Sequence, residues 1–180
     1  MKLVLLCHGA TESMRRGGFP AADEAVEGGA TLNVGFDTVA TSPYRAARQT
    51  AAMLHPAPVV VEALRDIDHG SWAGRSFAEV HADAPDAFAG WLARPWMGTP
   101  DGEGFASVCA RVDRWIGSLD DAAVPQVVVT HPMVIRAILA VTIGIADEAA
   151  MRIDIPPLST AVLSRHRGWR LQRLGGRLSD

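Results

Sequence analysis

Residues 126–139 read QVVVTHPMVIRAIL. The run at 126–130 is short, apolar and rich in β-branched residues, which suits a strand buried on both faces of a sheet. Proline is tolerated at the first position of a helix, where its missing N–H is not needed, so residues 132–143 read as the helix leaving that strand. His131 then stands at the carboxyl end of a strand and the start of a helix. The chain opens in the same way: residues 2–7 (KLVLLC) form a second apolar run, and His8 follows it at once.

Working outward, residues 36–41 and 59–61 read as further short strands. Residues 44–54 read as a helix stopped by His55-Pro56, because the residue before a proline avoids the helical region. Residues 8–18 and 64–74 lack periodicity and read as polar or irregular loop. Residues 76–91 suggest one or two helices broken near Pro85, and residues 95–104, rich in Pro and Gly, suggest loop. Phe105, Val108, Cys109, Val112, Ile116 and Leu119 recur at helical spacing and predict an amphipathic helix over 105–119. Residues 153–155, 161–166 and 169–174 read as closing strands. Strands alternating with helices predict an α/β fold, a three-layer sandwich with a largely parallel central sheet flanked by helices. Residues 1–180 read as a single domain, with residues 66–105 a lid-like insertion over the carboxyl end of the sheet.

Composition narrows the function. Hydrophobic residues make up 48% and charged residues 21% of the chain, ordinary values for a soluble globular protein. A net charge of −3 supplies no basic field, so nucleic acid is not expected as a partner. No run approaches the roughly 18 apolar residues that span a membrane, and the apolar opening is too short for a secretory signal. Two cysteines, Cys7 and Cys109, make neither a disulfide framework nor a metal motif. The expectation is a cytoplasmic protein without cofactor or metal, acting on a small molecule and free to form oligomers.

In open α/β sheets, ligands bind beyond the carboxyl ends of the strands. One histidine there is ordinarily a satisfied polar residue; two, each directly after a buried strand, suggest a shared site. A helix N-terminus favours an anion, and the one after His131 lies beside that position. The residues thus predict a two-histidine anion site at a switch point of the sheet.

Four segments resemble the histidine phosphatase superfamily, the phosphoglycerate-mutase-like family. LVLLCHGATES is similar to its apolar strand followed by Arg-His-Gly-x-Thr, the Thr being Thr11. TSPYRAARQTA is similar to Ser-Ser-Pro-Leu-x-Arg-Ala-x-Gln-Thr-Ala. LRDIDHGSWAG resembles Leu-Arg-Glu-Ile-x-x-Gly-x-Trp-x-Gly, and VVVTHPMVIRAIL the late strand, histidine and helix. The segment IDIPPLSTAVLSR resembles the family's closing stretch. The resemblance implies a covalent mechanism, which splits one hard displacement into two easier ones. In it His8 is the nucleophile, Asp66 stands where the family has its general acid, usually Glu, and His131 binds the equatorial oxygens.

The chain departs from the pattern at the charged positions. The arginine before the nucleophile is Cys7, and the arginine of the second block aligns with Ala46; the Asn six residues past the nucleophile is Met14. Phosphoryl transfer rests on positioning and electrostatics, and one lost preorganised donor costs about 2.7–4 kcal/mol. Arg45 and Arg48 beside the empty position, and Arg15 and Arg16 in the loop after the nucleophile, are candidate replacements or else solvated surface residues. Arg45 is turned about 100° from residue 46 on a helix. Glu103 matches a Gly-Glu-Ser segment of relatives and is expected to line the lid. Trp72, Trp91 and Trp96 are candidates to wall a cleft, and Cys7 reads as a small core-lining residue. The resemblance implies phosphomonoester hydrolysis through phospho-His8, altered or weakened by the missing arginines. The alternatives are acid–base chemistry on a less charged substrate, for which histidine is suited, and an inactive module that binds a ligand or a protein.

Overall fold

The computed structural model describes residues 1–28, 32, 34–120 and 124–178. The strands are β1 (Lys2–Cys7), β2 (Val39–Thr41), β3 (Val59–Val60), β4 (Val127–Thr130), β5 (Thr160–Arg165) and β6 (Trp169–Leu174). The helices are α1 (Glu12–Arg16), α2 (Arg45–Ala52), α3 (Phe77–Asp83), α4 (Pro85–Ala93), α5 (Phe105–Gly117), α6 (Pro132–Ile143) and α7 (Asp147–Ala150). The strands form one sheet in the order β3-β2-β4-β1-β5-β6. β3, β2, β4 and β1 pair in parallel, β5 runs antiparallel to β1, and β6 antiparallel to β5.

The alternation of side chains along a strand divides the core into two layers. Leu3, Leu5 and Cys7 of β1, with Val128 of β4, face α5 and α6. Leu6, Val127 and Val129 point the other way, onto Ala47 and Ala51 of α2. The protein is a three-layer α/β sandwich. Helix α6 begins at Pro132 as the sequence predicts, and ends at Gly144, whose φ of 72° takes the left-handed cap that glycine accommodates.

Two local expectations are corrected. Residues 153–155 form no strand: the carbonyl of Ile153 accepts Arg136 Nε at 2.9 Å and that of Ile155 faces Cys7 Sγ at 3.9 Å, so side chains take the bonds a neighbouring strand would need. Residues 8–18 contain α1, whose start is held by Glu24, which accepts from Ser13 N at 2.6 Å and Ser13 Oγ at 2.7 Å. Helix α7, for which the sequence reading assigns no element, opens on Asp147 and Glu148, acids that suit the positive end of a helix.

Residues 66–105 fold as α3, α4 and two short 3₁₀ turns, Gly70–Trp72 and Pro95–Met97. A capping box starts α3: Ser76 Oγ accepts from Glu79 N, and Glu79 accepts from Ser76 N at 2.8 Å. The cluster gathers around Phe19, which comes from the loop after α1. Its ring lies 4.8–5.1 Å from the rings of His69, Trp72, Phe77 and Trp91. At the edge of the sheet, β3 leaves Val59 66% and Val60 52% exposed.

Because Phe19 is fully buried among four rings, Phe19→Ala is expected to lower the unfolding free energy by about 3–5 kcal/mol in urea titrations. A loss below about 1 kcal/mol would show that the cluster closes without it.

Candidate active site

The register of the parallel strands brings the candidate residues together. Cys7 lies opposite Thr130, and Thr41 opposite Val129. The next residues, His8, His131 and Ser42, therefore emerge at one edge of three adjacent strands, about 4.8 Å apart in the pairing direction. The rings of His8 and His131 are 4.9 Å apart, edge to face.

His8 Nδ1 lies 2.7 Å from the carbonyl oxygen of Gly9. A carbonyl only accepts, so Nδ1 carries the proton and Nε2 keeps its lone pair. Among the described residues Nε2 has no hydrogen-bond partner. Burial, reinforced by His131, lowers the pKa of His8 to about 4, so the ring is neutral at pH 7.

His131 is held on both sides. Its Nε2 shares a hydrogen bond of 2.7 Å with Ser42 Oγ, which also accepts from Tyr44 N at 3.1 Å. Its Nδ1 lies 3.4 Å from Asp66 Oδ2, and the Tyr44 ring stands 5.4 Å away. Burial and then Arg111 lower the His131 pKa to about 3. An ionised Asp66 would oppose that shift, but burial pushes Asp66 up toward its neutral form as well. Ser42 was not a sequence candidate: its position after β2 is the signal that could have found it.

His8, Thr11 and Asp66 line a cavity of about 310 Å³. Its other walls are largely apolar: Met14, Phe19, Ile67, Trp91 and Met133 are among them, and Met14 is the residue that replaces the polar Asn of the pattern. His131 is 2% exposed and lies behind His8 rather than in the wall. Of the tryptophans, Trp91 lines the cavity, Trp72 is core, and Trp96 packs against the α5–α6 layer.

The four arginines expected as replacement cations do not reach this cavity. Arg15 pairs with Glu27 at 3.0 Å and Arg16 with Glu12 at 2.6 Å, both with largely exposed side chains. Arg45 donates to the carbonyl of Asp23, and Arg45 and Arg48 line a separate surface cleft. Helix α2 turns Ala46 and Ala47 inward and leaves Arg45 and Arg48 exposed. The cation that does line the cavity is Arg136 of α6, which sequence reasoning missed because it sits a turn beyond His131 inside a helix.

Cys7 is fully buried in the sheet core. Burial drives its thiol far above the usual range, so it supplies no thiolate. Glu103 is also displaced from its expected place. It accepts from Arg65 at 3.0 Å and Arg111 at 3.2 Å, outside the cavity wall. Arg111 in turn donates to the carbonyls of Ala63 at 2.6 Å and Asp66 at 3.1 Å. This clamp fixes the backbone that carries Asp66. Among the described residues no group of His, Cys, Asp and Glu is placed to hold a metal ion, and no helix is long and apolar enough to cross a membrane.

Residues 3–176 match the family model of the histidine phosphatase superfamily (branch 1). The chain is 31% identical to the bifunctional protein Rv2228c of Mycobacterium tuberculosis over 89% of its own length and 50% of that protein's. It therefore spans about half the length of these curated relatives. It is 27% identical to the adenosylcobalamin/alpha-ribazole phosphatase of Escherichia coli, with 86% of each covered. The fold matches the alpha-ribazole phosphatase of Shigella flexneri with a TM-score of 0.80 at 22% identity, covering 98% and 97% of the two chains. A mycobacterial glucosyl-3-phosphoglycerate phosphatase matches with a TM-score of 0.80 at 24% identity, covering 97% and 98%.

The clamp separates two effects. Arg111→Met leaves buried Glu103 with Arg65 and the Asp68 amide alone, takes the side-chain donor from the Ala63 carbonyl, and is expected to cost about 3–5 kcal/mol of stability. Arg65→Met, at the more exposed rim, is expected to cost about 1 kcal/mol or less. Guanidinium titrations of both variants measure this; equal losses would show that the clamp does not depend on the buried partner.

Proposed function

The chain belongs to the histidine phosphatase superfamily (branch 1), and on that premise we propose that it hydrolyses a small phosphomonoester through a phosphohistidine on His8. The observation that carries this reading is the Gly9 carbonyl on His8 Nδ1. It fixes a neutral imidazole with its Nε2 lone pair unspent beside a cavity. In the first step Nε2 bonds to phosphorus and the bond from phosphorus to the ester oxygen breaks. Asp66, raised toward its acid form by burial, gives its proton to the departing alkoxide. In the second, water attacks the phosphohistidine, Asp66 takes the water's proton, and phosphate leaves with His8 restored.

His131, with Ser42 and Asp66 on its two nitrogens, positions the acid and walls the nucleophile. Thr11, buried at the cavity wall, is the substrate-side hydroxyl. In this reading residues 1–180 act as one domain and residues 66–105 as the lid. Turnover is weak, because Cys7 and Ala46 bring no positive charge and Arg15, Arg16, Arg45 and Arg48 lie elsewhere.

Two measurements test this. Aryl phosphate hydrolysis and an acid-labile phosphoryl adduct are expected in the wild type and lost in His8→Ala; turnover surviving that substitution rules out His8 as nucleophile. The second is pH. Protonation of His8 removes the nucleophile, and its pKa lies near 4. After correction for substrate ionisation, kcat/KM should hold as pH falls through the ordinary histidine value of about 6.5 and drop only near 4. A fall at 6.5 or above would contradict the buried neutral ring.

A further inference from the structure

The cavity holds one permanent positive charge. Among its lining residues Arg136 is the single lysine or arginine. Its guanidinium is steered there by one bond: Nε donates to the carbonyl of Ile153 at 2.9 Å. Nη1 touches only Met133 Sδ, at 3.5 Å, a weak acceptor. Nη2 has no hydrogen-bond partner among the described residues. No carboxylate lies within ion-pair distance; Asp154, on the exposed side of the same segment, and Asp66 act on it only from farther away. A guanidinium presents five donors in a fixed fork, and here most of that fork is unspent.

Cys7 Sγ and Arg136 Nε both dock on the segment 153–155, at the carbonyls of Ile155 and Ile153.

The remaining titratable groups of the wall are shifted away from their charged forms. His8 and His69 are both held toward their neutral forms by burial, and Asp66 toward its acid. The rest of the wall is mainly apolar, with Met14, Phe19, Ile67, Trp91 and Met133 around the opening. At about 310 Å³ the cavity is at the small end of ligand sites, which run from roughly 300 to 1,000 Å³.

We propose that Arg136 is the anion anchor of this cavity, and that the ligand is a singly charged oxyanion, a phosphate monoester monoanion or a carboxylate, carried on an apolar, ring-sized body. The inference rests on the reading of this cavity as the substrate site and names its substrate class. With one cation in an otherwise mainly apolar wall, a compact, highly charged sugar phosphate is disfavoured against a more apolar ester.

The test is calorimetric titration of the full chain with phenylphosphonate, methylphosphonate and neutral benzamide, together with hydrolysis of an aryl phosphate. Phenylphosphonate is expected to bind the wild type at least about tenfold tighter than either other probe, one charged hydrogen bond or one buried ring being worth that much. Arg136→Met should weaken it by about 10- to 100-fold, and Arg136→Lys, which keeps the charge but not the fork, by less. Equal affinity for phenylphosphonate and benzamide, no measurable phenylphosphonate binding, or unchanged binding in a folded Arg136→Met overturns the anchor. The wild-type comparison does not depend on any variant folding. Arg136-dependent binding without turnover upholds the anchor and removes the hydrolytic reading. His8-dependent turnover whose KM ignores Arg136 does the reverse. Benzoate as a competitor separates the two oxyanions: tighter binding than phenylphosphonate identifies a carboxylate ligand, weaker binding a phosphate ester.

Discussion

The pairing of β1 with β4 is the constraint on which the site depends. Each strand is a short apolar run with a histidine immediately after it, and in the parallel register Cys7 meets Thr130. A slip of one residue would send Leu3, Leu5 and Cys7 to the wrong face of the sheet. The hydrophobic effect thereby fixes, without any polar contact between them, that His8 and His131 emerge side by side. β2 joins on the other side of β4 and adds Ser42 at the same edge. The geometry of the candidate site is a by-product of burying valines and leucines on both faces.

Placing two imidazoles and a carboxyl group in one buried edge carries a cost that ionisation would make prohibitive. All three drift toward neutrality: both histidines down, Asp66 up. In the proposed mechanism a neutral imidazole attacks and a neutral carboxyl protonates the leaving group, and desolvation favours both forms at once. The counterweight is that a dry pocket is hostile to phosphate unless a cation remains. In that reading the burden falls on Arg136, while the clamp of Arg111 and Glu103 holds the backbone of Asp66 and keeps its own charges outside the cavity.

Much of this was legible in the sequence. The apolar runs at 2–7 and 126–130, the helix starting at Pro132 and the amphipathic stretch from Phe105 all rest on local periodicity. His8 and His131 followed from their places after two of those elements, and Asp66 from the resemblance of LRDIDHGSWAG to the family pattern. What escaped depended on the direction of side chains and on distant partners. Residues 153–155 look like a strand until Arg136 and Cys7 take their carbonyls. Arg136 sits in the middle of a helix, where an arginine ordinarily reads as surface, and only the packing of α6 against β1 turns it inward. The arginines that proximity in sequence favoured, Arg45 and Arg48, share a helix with Ala46, so burying one face of that helix exposed theirs.

A sheet with two open edges is a template for unwanted pairing with other chains. The outer strand β3 spans only Val59–Val60, lies beside Pro58 with Pro56 just before, and shows two bare valines to solvent. Each proline removes one N–H from that border. At the opposite border β6 carries Arg170 and Arg173, whose charge resists a second strand. The molecule's colloidal behaviour at high concentration is thus guarded by missing donors on one flank and by electrostatic repulsion on the other, so salt should weaken only the second defence.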